Sequence, residues 1–425
     1  MLRLAVLALV LLPTVLQAQI SRKIIIANGG DFSDTTDVTT VAVWTTLNNT
    51  YFVFDTINAN SVQDVLMQDQ YAYVAADGQI YKYDIDSYTL LHTAAAPGVT
   101  SLAVAPNQTG IVAACGFPAS SNYVRLFDQA DLNEVGSVTG ISGQCHSVVV
   151  VEDTAYVTVP GSFGTTTGSV ALCDLNALSL VAEINLDTLG EGITDIYYQD
   201  SQNLLITLNS RSFSNPTSAF STIAIGARTG NSFVNQFPMS FNGGTALVGN
   251  TVYGMFDNSF NNVEINPFNP NSVSNSPRID GFWAGSAMDI AQTEFLLAAT
   301  DYATYGTIYR YNSTGMLLDS IAVGVSPEAF AIDPRLGLST SDLLSEEVYI
   351  RSYPNPFTDR VTVDASRLKY PVLSLEIYTF GGQKVLSAAA TGSETELDVS
   401  QLPAGNYLLR AHTRVGDYAQ HLLKR

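Results

Sequence analysis

IYKYDIDSYTLLHTAAAPGVTSLAVAPN, residues 80–107, is the stretch whose reading decides the fold. It divides into a strand over 80–84, a tight turn led by Asp84, a second strand, a loop holding Gly98, and a third strand over 101–105. The same order returns at 124–150 (VRLFDQADLNEVGSVTGISGQCHSVVV) and at 170–198 (VALCDLNALSLVAEINLDTLGEGITDIYY). It returns once more at 308–333 (IYRYNSTGMLLDSIAVGVSPEAFAID). A unit of short strands recurring every ~40–50 residues is the signature of propeller blades.

Working outward, the unit can be aligned on its innermost strand. Seven starts result: Val62-Gln63-Asp64, Val99-Thr100-Ser101, Cys145-His146-Ser147, Ile193-Thr194-Asp195, Gly243-Gly244-Thr245, Gly285-Ser286-Ala287 and Pro327-Glu328-Ala329. Second strands are expected at 72–75, 110–114, 155–159, 204–208, 252–256 and 294–299. The last inner strand, 329–333, has no outer strands after it, and the first strands, at 23–27, 41–44 and 51–54, have no inner strand before them. Joining the two halves predicts an all-β, seven-bladed propeller closed by strands from both ends, which removes the exposed edges of an open array. The stretches 221–231 and 262–271 lack the Asp turn and are expected to be irregular or to carry longer loops. Asp84, Asp128 and Asp174 follow equivalent strands and are expected to cap turns.

Composition bounds what such a ring could do. The chain has 425 residues and a formal net charge of −20. Residues 21–345 hold 9 Lys+Arg against 30 Asp+Glu, whereas 346–425 hold 9 of each. An acidic repeat region repels phosphate backbones, which argues against nucleic-acid partners. Residues 1–18, MLRLAVLALVLLPTVLQA, carry one Arg, a short apolar run and a small residue at the end, the pattern of a secretory signal peptide. No later run approaches the ~18 apolar residues of a membrane-spanning helix. Three cysteines, Cys115, Cys145 and Cys173, allow at most one disulfide and are expected to be buried free thiols.

Candidate chemistry lies on the face where loops gather around the channel. Loops joining second and third strands set an aromatic among small polar residues: Phe32, Phe117, Phe163, Phe213, Phe260 and Tyr302. The loops before inner strands add Phe241, Phe282 and Trp283. Such rings suit recognition of a flat or amphipathic ligand, since they supply contact area at small entropic cost; the other reading packs them beneath their own loops. Two inner-strand columns approach the channel mouth. The first is Gln63, Thr100, His146, Thr194, Gly244, Ser286 and Glu328. The second is Asp64, Ser101, Ser147, Asp195, Thr245, Ala287 and Ala329. Strand alternation predicts that one column faces the channel, either as a ligand or cation ring or as a solvated lining.

Catalytic signatures are absent from the sequence: no metal-ligand spacing of Cys or His, nucleophile elbow or phosphate loop occurs. His92, His146, His412 and His421 are the only histidines, and His146 is poorly placed to pair with its neighbour Cys145. Asp31, Asp34 and Asp37 lack a calcium-loop spacing and are expected to form Asx turns. No catalytic residue, metal site or cofactor is assigned. Three readings follow. The first is a binding protein that takes a small molecule, glycan or peptide through Phe32, Phe117, Phe163, Phe213, Phe260, Trp283, Tyr302, Gln63, Asp64, His146, Asp195 and Glu328. The second is a protein–protein interaction or adhesion module. The third is a lyase or hydrolase, which would require His146, Asp64, Asp195 and Glu328 to converge.

The run YVA-x-x-G-x-I-x-x-YD at 73–84 and Gly324-x-x-Pro327 resemble the YncE-like seven-bladed propellers of surface proteins in Bacteroidota, a resemblance that covers residues 21–334 of a propeller domain expected at 19–334. That resemblance implies ligand or partner binding, with delivery to an outer-membrane transporter as one form. After a polar linker at 335–346, residues 347–425 predict a small Ig-like β-sandwich. Tyr353-Pro354-Asn355-Pro356-Phe357, Gly381 in IYTFGGQKV, Leu402-Pro403 with Gly405 and Tyr407, and Lys424 resemble the type A sorting domain of the type IX secretion system. The resemblance implies the secretion machinery as a partner and passage through the periplasm to the cell surface or medium.

Overall fold

The computed structural model describes residues 22–335 and 350–425, apart from positions 32, 35, 47–48, 162–166, 211–217, 236–245, 249–250, 257–258, 265–271, 282, 290–293, 356, 367–370, 380–383 and 414–415. The expected signal peptide and most of the linker lie outside the described residues. Among those described, no helix is long and apolar enough to cross a membrane.

Residues 22–335 build seven four-stranded antiparallel sheets. Six follow chain order, each starting from an inner strand: Val62–Gln68, Val99–Ala105, Val148–Val151, Ile193–Gln199, Ala246–Val248 and Gly285–Asp289. The seventh is a seam. Its inner strand, Pro327–Ile332, pairs with Lys23–Asn28, which continues to Thr39–Thr45 and Thr50–Ile57. Ile24 faces Ile332 and Ile26 faces Phe330 across that seam, so the two ends of the region share one sheet as the repeat register predicts.

Each sheet presents two apolar faces, because alternate side chains of a strand point to opposite sides. Ala72 and Val74 join Ile25 and Val41 of the seam sheet, while Tyr73 and Ala75 join Leu102 and Ile111 of the next sheet. The pattern continues from sheet to sheet. Val112 and Leu126 pack on Val157 and Ala171, Tyr156 and Leu172 on Ile196 and Leu205, and Ile206 and Leu208 on Val252. Met255 then packs on Phe295 and Leu297, and Leu296 and Ile308 pack on Ile24, Ile26 and Trp44 of the seam. At ~25 cal/mol per Å² of apolar surface removed from water, these inter-sheet layers are the main stabilising term.

The turns repeat as well. Asp84 Oδ1 accepts from the amides of Asp86 and Ser87, Asp128 Oδ1 from Ala130, and Asp174 Oδ1 from Asn176 and Ala177, so the three carboxylates cap turns as expected. Four residues after each, Tyr88, Leu132 and Leu178 take a positive φ. The 221–231 stretch departs from expectation. Without the Asp it still forms a regular hairpin, with Arg228 at φ 54° and its amide donating to the Ala224 carbonyl. The backbone turn survives loss of its side-chain cap. Most of the connection within 262–271 lies outside the described residues.

The tail forms a two-sheet unit. Arg351–Tyr353, Arg360–Asp364 and Glu394–Asp398 make one sheet, and Lys384–Ala389, Val372–Thr379, Gly405–Thr413 and Gly416–Lys424 the other. Phe357, Val361, Leu375, Ile377, Tyr407, Leu409 and Leu422 fill its own core.

Candidate functional site

The inner strands do not obey simple alternation at the mouth. Val62 pairs with Ala76 and Asp64 with Ala75, which skips Gln63. Thr100, Thr194 and Glu328 are skipped in the same way. Each is the extra residue of a β-bulge, which bends the strand and re-aims side chains. The expectation that one column faces the channel rests on simple alternation, which these four bulges interrupt.

First-column residues tie strand to strand and sheet to sheet. Thr100 Oγ1 donates to the Ala114 carbonyl at 3.1 Å and lies 3.4 Å from that of Cys145, ahead of the next sheet's inner strand. Glu328 accepts from the Val62 amide at 2.9 Å and the Ser326 hydroxyl at 2.9 Å. Gln63 accepts from the Asp77 amide at 3.0 Å and donates to Ser61 Oγ at 2.7 Å. Second-column acids do the same one step deeper. Asp64 Oδ2 accepts from the Leu102 amide at 2.7 Å. Asp195 accepts from Ser147 Oγ at 2.9 Å and Tyr197 Oη at 2.6 Å. Burial pushes the Asp64 carboxyl up to about 6, opposed by the Leu102 and Val65 amides and assisted by the charge of Asp195. Tyr197, two residues beyond Asp195, is legible in the sequence only through that spacing.

His146 behaves differently. Its neighbour Cys145 is buried while His146 is exposed, as expected for adjacent positions. Solvent reaches the imidazole, yet protein crowds it enough to lower its pKa through desolvation, against the charge of Asp195 and a hydrogen bond with the Thr194 backbone. The three cysteines are free and buried, and burial raises each thiol, Cys115 to about 11 and Cys173 to about 12. They are packing residues.

The aromatic positions separate. Phe117 is 83% exposed. It follows Gly116, whose amide donates to the Gly98 carbonyl and where a Cβ would lie 3.1 Å from the Cys145 carbonyl oxygen and from the Thr100 methyl. Phe117 and His146 thus flank one contact between the second and third of the six in-order sheets. Trp283 is only 7% exposed; its Nε1 donates to the Ile279 carbonyl at 3.3 Å, and Tyr309 and Tyr311 stand edge-on to it. It belongs to the core, because its loop folds inward on Phe295 and Leu297. Tyr302 is half-buried at φ 62°. Phe260 lies in the strand Ser259–Glu264 rather than a loop. Phe32, Phe163, Phe213, Phe241 and Phe282 lie outside the described residues. Asp31 and Asp34 hold Asx turns through the Ser33 and Thr36 amides, whereas Asp37 departs from that expectation and accepts from the Val38 and Asp31 amides. Among the described residues no group of three or more His, Cys, Asp or Glu is placed to hold a metal ion.

In the tail, Phe357, Tyr407 and Lys424 are buried, Leu402 is half-buried, and Tyr353, Pro354, Asn355 and Pro403 are exposed. Gly405 opens a strand, while Pro356 and Gly381 lie outside the described residues.

Solved structures share the architecture at low identity. A hypothetical selenium-binding protein from Sulfolobus tokodaii matches with TM-score 0.57 and 8% identity, over 76% of this chain and 96% of that one. A quinonprotein alcohol dehydrogenase-like protein from Bacteroides thetaiotaomicron matches with TM-score 0.53 and 12% identity, over 73% and 77%. Kuenenia stuttgartiensis hydrazine synthase gives 0.52 and 12%, over 64% and 90%. Likeness at this level bears on the fold alone. No curated protein matches the chain. Residues 351–425 match the family described as the secretion system C-terminal sorting domain, and the protein is accordingly one that the type IX machinery carries to the outer cell surface or the extracellular space.

Proposed function

We propose that residues 19–334 form a closed, YncE-like seven-bladed propeller, that 335–346 link it to the sorting domain at 347–425, and that the propeller is a surface-displayed binding module. Seven apolar layers running from sheet to sheet and back to the seam support closure. The binding reading rests above all on Phe117, a large ring held in water next to Gly116, where the neighbouring segment Cys145–His146 brings an exposed imidazole. A ligand with a flat or apolar part for Phe117 and a polar part for His146 and the mouth, such as an aromatic small molecule, a glycan or a peptide, fits that pairing. Delivery of such a ligand to an outer-membrane transporter is the corresponding role.

Hydrolase or lyase chemistry is the weaker reading, since Asp64, Asp195 and Glu328 each accept hydrogen bonds from neighbouring residues, and of the three it is Asp195 whose charge is felt at His146. A protein–protein interaction role draws on a separate observation: Leu90, Val135, Val181, Val234 and Leu317 are exposed on the outermost strands of five sheets. Thermal unfolding of the mature chain against glycans, peptides, aromatic compounds, metals and cofactors separates the readings. A ligand that stabilises the wild type and not Phe117→Ala supports binding at the mouth.

A further inference from the structure

The seam sheet ends on the strand Thr50–Ile57, and the larger sheet of the tail ends on Gly416–Lys424. Each is an edge strand, with one row of backbone groups outside its own ladder. The two lie side by side, their Cα atoms approaching within 8 Å, although no ladder joins them. Among the described residues, Leu90, Val135, Val181, Val234, Arg278 and Leu317 are exposed on the outermost strands of the other six sheets, whereas Thr50–Ile57 has no exposed position. One face of that strand is covered by the next sheet. Phe52 stands edge-on to Tyr88 at 4.9 Å, and Phe54 lies 5.5 Å from Tyr83 and 5.3 Å from Tyr88. The outer edge is what remains for the tail to cover. Its sequence, TYFVFDTI, holds three aromatic rings, one charge and no proline, the kind of strand that pairs with other chains when left open.

The tether favours the contact. Pro327–Ile332, the inner strand of the seam sheet, is the last strand before the link, and Arg335 just beyond it bonds to Asp333 and Asp86. The chain therefore leaves from the very sheet whose outer strand meets the tail. Inner and outer strands of a four-stranded sheet lie about 14 Å apart at ~4.8 Å per step. Residues 336–349 can cover that distance readily at ~3.3 Å per extended residue. A short link of this kind holds the tail near the seam at a millimolar effective concentration, so a modest interface is enough. We propose that Thr50–Ile57 is the docking surface for the tail's edge strand Gly416–Lys424, so that the repeat region and the tail associate and each shields the other's open edge.

The test is the distance between two nitroxide labels on the mature chain, tail included. One label is carried by Asn58→Cys, just past Thr50–Ile57, and the other by Leu408→Cys, on the strand that pairs with Gly416–Lys424; both positions are exposed. The three native cysteines are buried, so the label enters the engineered sites. Docking predicts one narrow interspin distance, within about 40 Å for strands that rise ~3.3 Å per residue. Val53→Lys sets a charge on the outer strand and should cut the docked population at least about fivefold, while Leu91→Lys, on the outer strand Thr89–Ala95, should leave it unchanged. A broad distribution in the chain without either Lys, set by the link alone, overturns the proposal whether or not the Lys variants fold. A narrow distance that survives in folded Val53→Lys also overturns it, because the tail then docks elsewhere. So does equal dispersal by Leu91→Lys, which makes the contact unspecific to this strand.

Discussion

Replacing Arg22 by Met probes the seam sheet that pairs the two ends of residues 22–335. Arg22 precedes the strand Lys23–Asn28, and its Nε lies 2.7 Å from Asp289 Oδ2 in the neighbouring sheet, with the two side chains 5% and 9% exposed. Its backbone amide donates to Thr46 Oγ1, and its carbonyl accepts from the Thr46 amide. Glu294 and Arg310 line the same small cavity, 3.6 Å apart, with Ile24, Leu296 and Ile332. Met keeps most of the length and apolar contact of Arg, and leaves Asp289 charged and buried beside Glu294. Removing one partner of a buried pair costs about 3–5 kcal/mol, whereas replacing both by apolar groups of like volume is close to neutral. At about 2 °C per kcal/mol for a domain of this size, Arg22→Met should lower the melting temperature by about 6–10 °C. Arg22→Met combined with Asp289→Leu should recover most of that loss. Circular dichroism melts of the mature chain provide the assay. A single variant within about 2 °C of wild type, or a double variant as unstable as the single, refutes the claim that this pair pins the seam.

Two further predictions concern the mouth. Because burial raises Asp64 to about 6 from 3.8, the folded state holds a proton between those values that the unfolded chain has released. That group therefore lowers stability as pH rises from about 4 to 6, by up to about 3 kcal/mol, and the cost stays constant above. Asp64→Asn keeps an acceptor for the Leu102 amide, so it should match or exceed wild-type stability at pH 7 and show a flatter profile between pH 4 and 6 in urea titrations. A less stable variant with an unchanged pH profile contradicts this. Gly98 sits at φ 74°, and a Cβ there would lie 2.2 Å from the Gly116 carbonyl oxygen. Gly98→Ala should cost about 3 kcal/mol, combining left-handed strain with a clash against backbone, and a urea midpoint unchanged from wild type would count against the tight contact that carries Phe117.

Much of the fold was legible because register survives where composition does not. Strands begin at Val62, Val99, Ile193, Gly285 and Pro327, where the aligned repeats place them, and the seam pairing follows from the incomplete units at either end. Cys145 departs: its amide bonds to the Cys115 carbonyl of the previous sheet, the Ser147 amide takes the Thr158 hydroxyl, and the strand starts only at Val148. The bulges at Gln63, Thr100, Thr194 and Glu328 were not legible, since an extra polar residue leaves the apolar spacing of the rest of the strand intact. Burial of Trp283 is not legible, because a ring in a Gly-rich loop looks the same whether the loop folds in or out. Burial of Lys424 is likewise not legible, since its acceptors, the carbonyls of Val399 and Ser400, come from beyond the opposite sheet's strand.

The most direct test of the account is calorimetric titration of the mature wild-type chain and its Phe117→Ala variant with the compound that shifts the melting temperature furthest. A site occupied at one hundred times its dissociation constant stabilises the fold by about 2.7 kcal/mol, enough for a clear thermal shift. The account predicts saturable 1:1 binding to wild type, at least tenfold weaker binding to Phe117→Ala, and equal melting temperatures for the two proteins without ligand. Equal affinity for both proteins, or no ligand found across glycans, peptides, aromatic compounds, metals and cofactors, would contradict it.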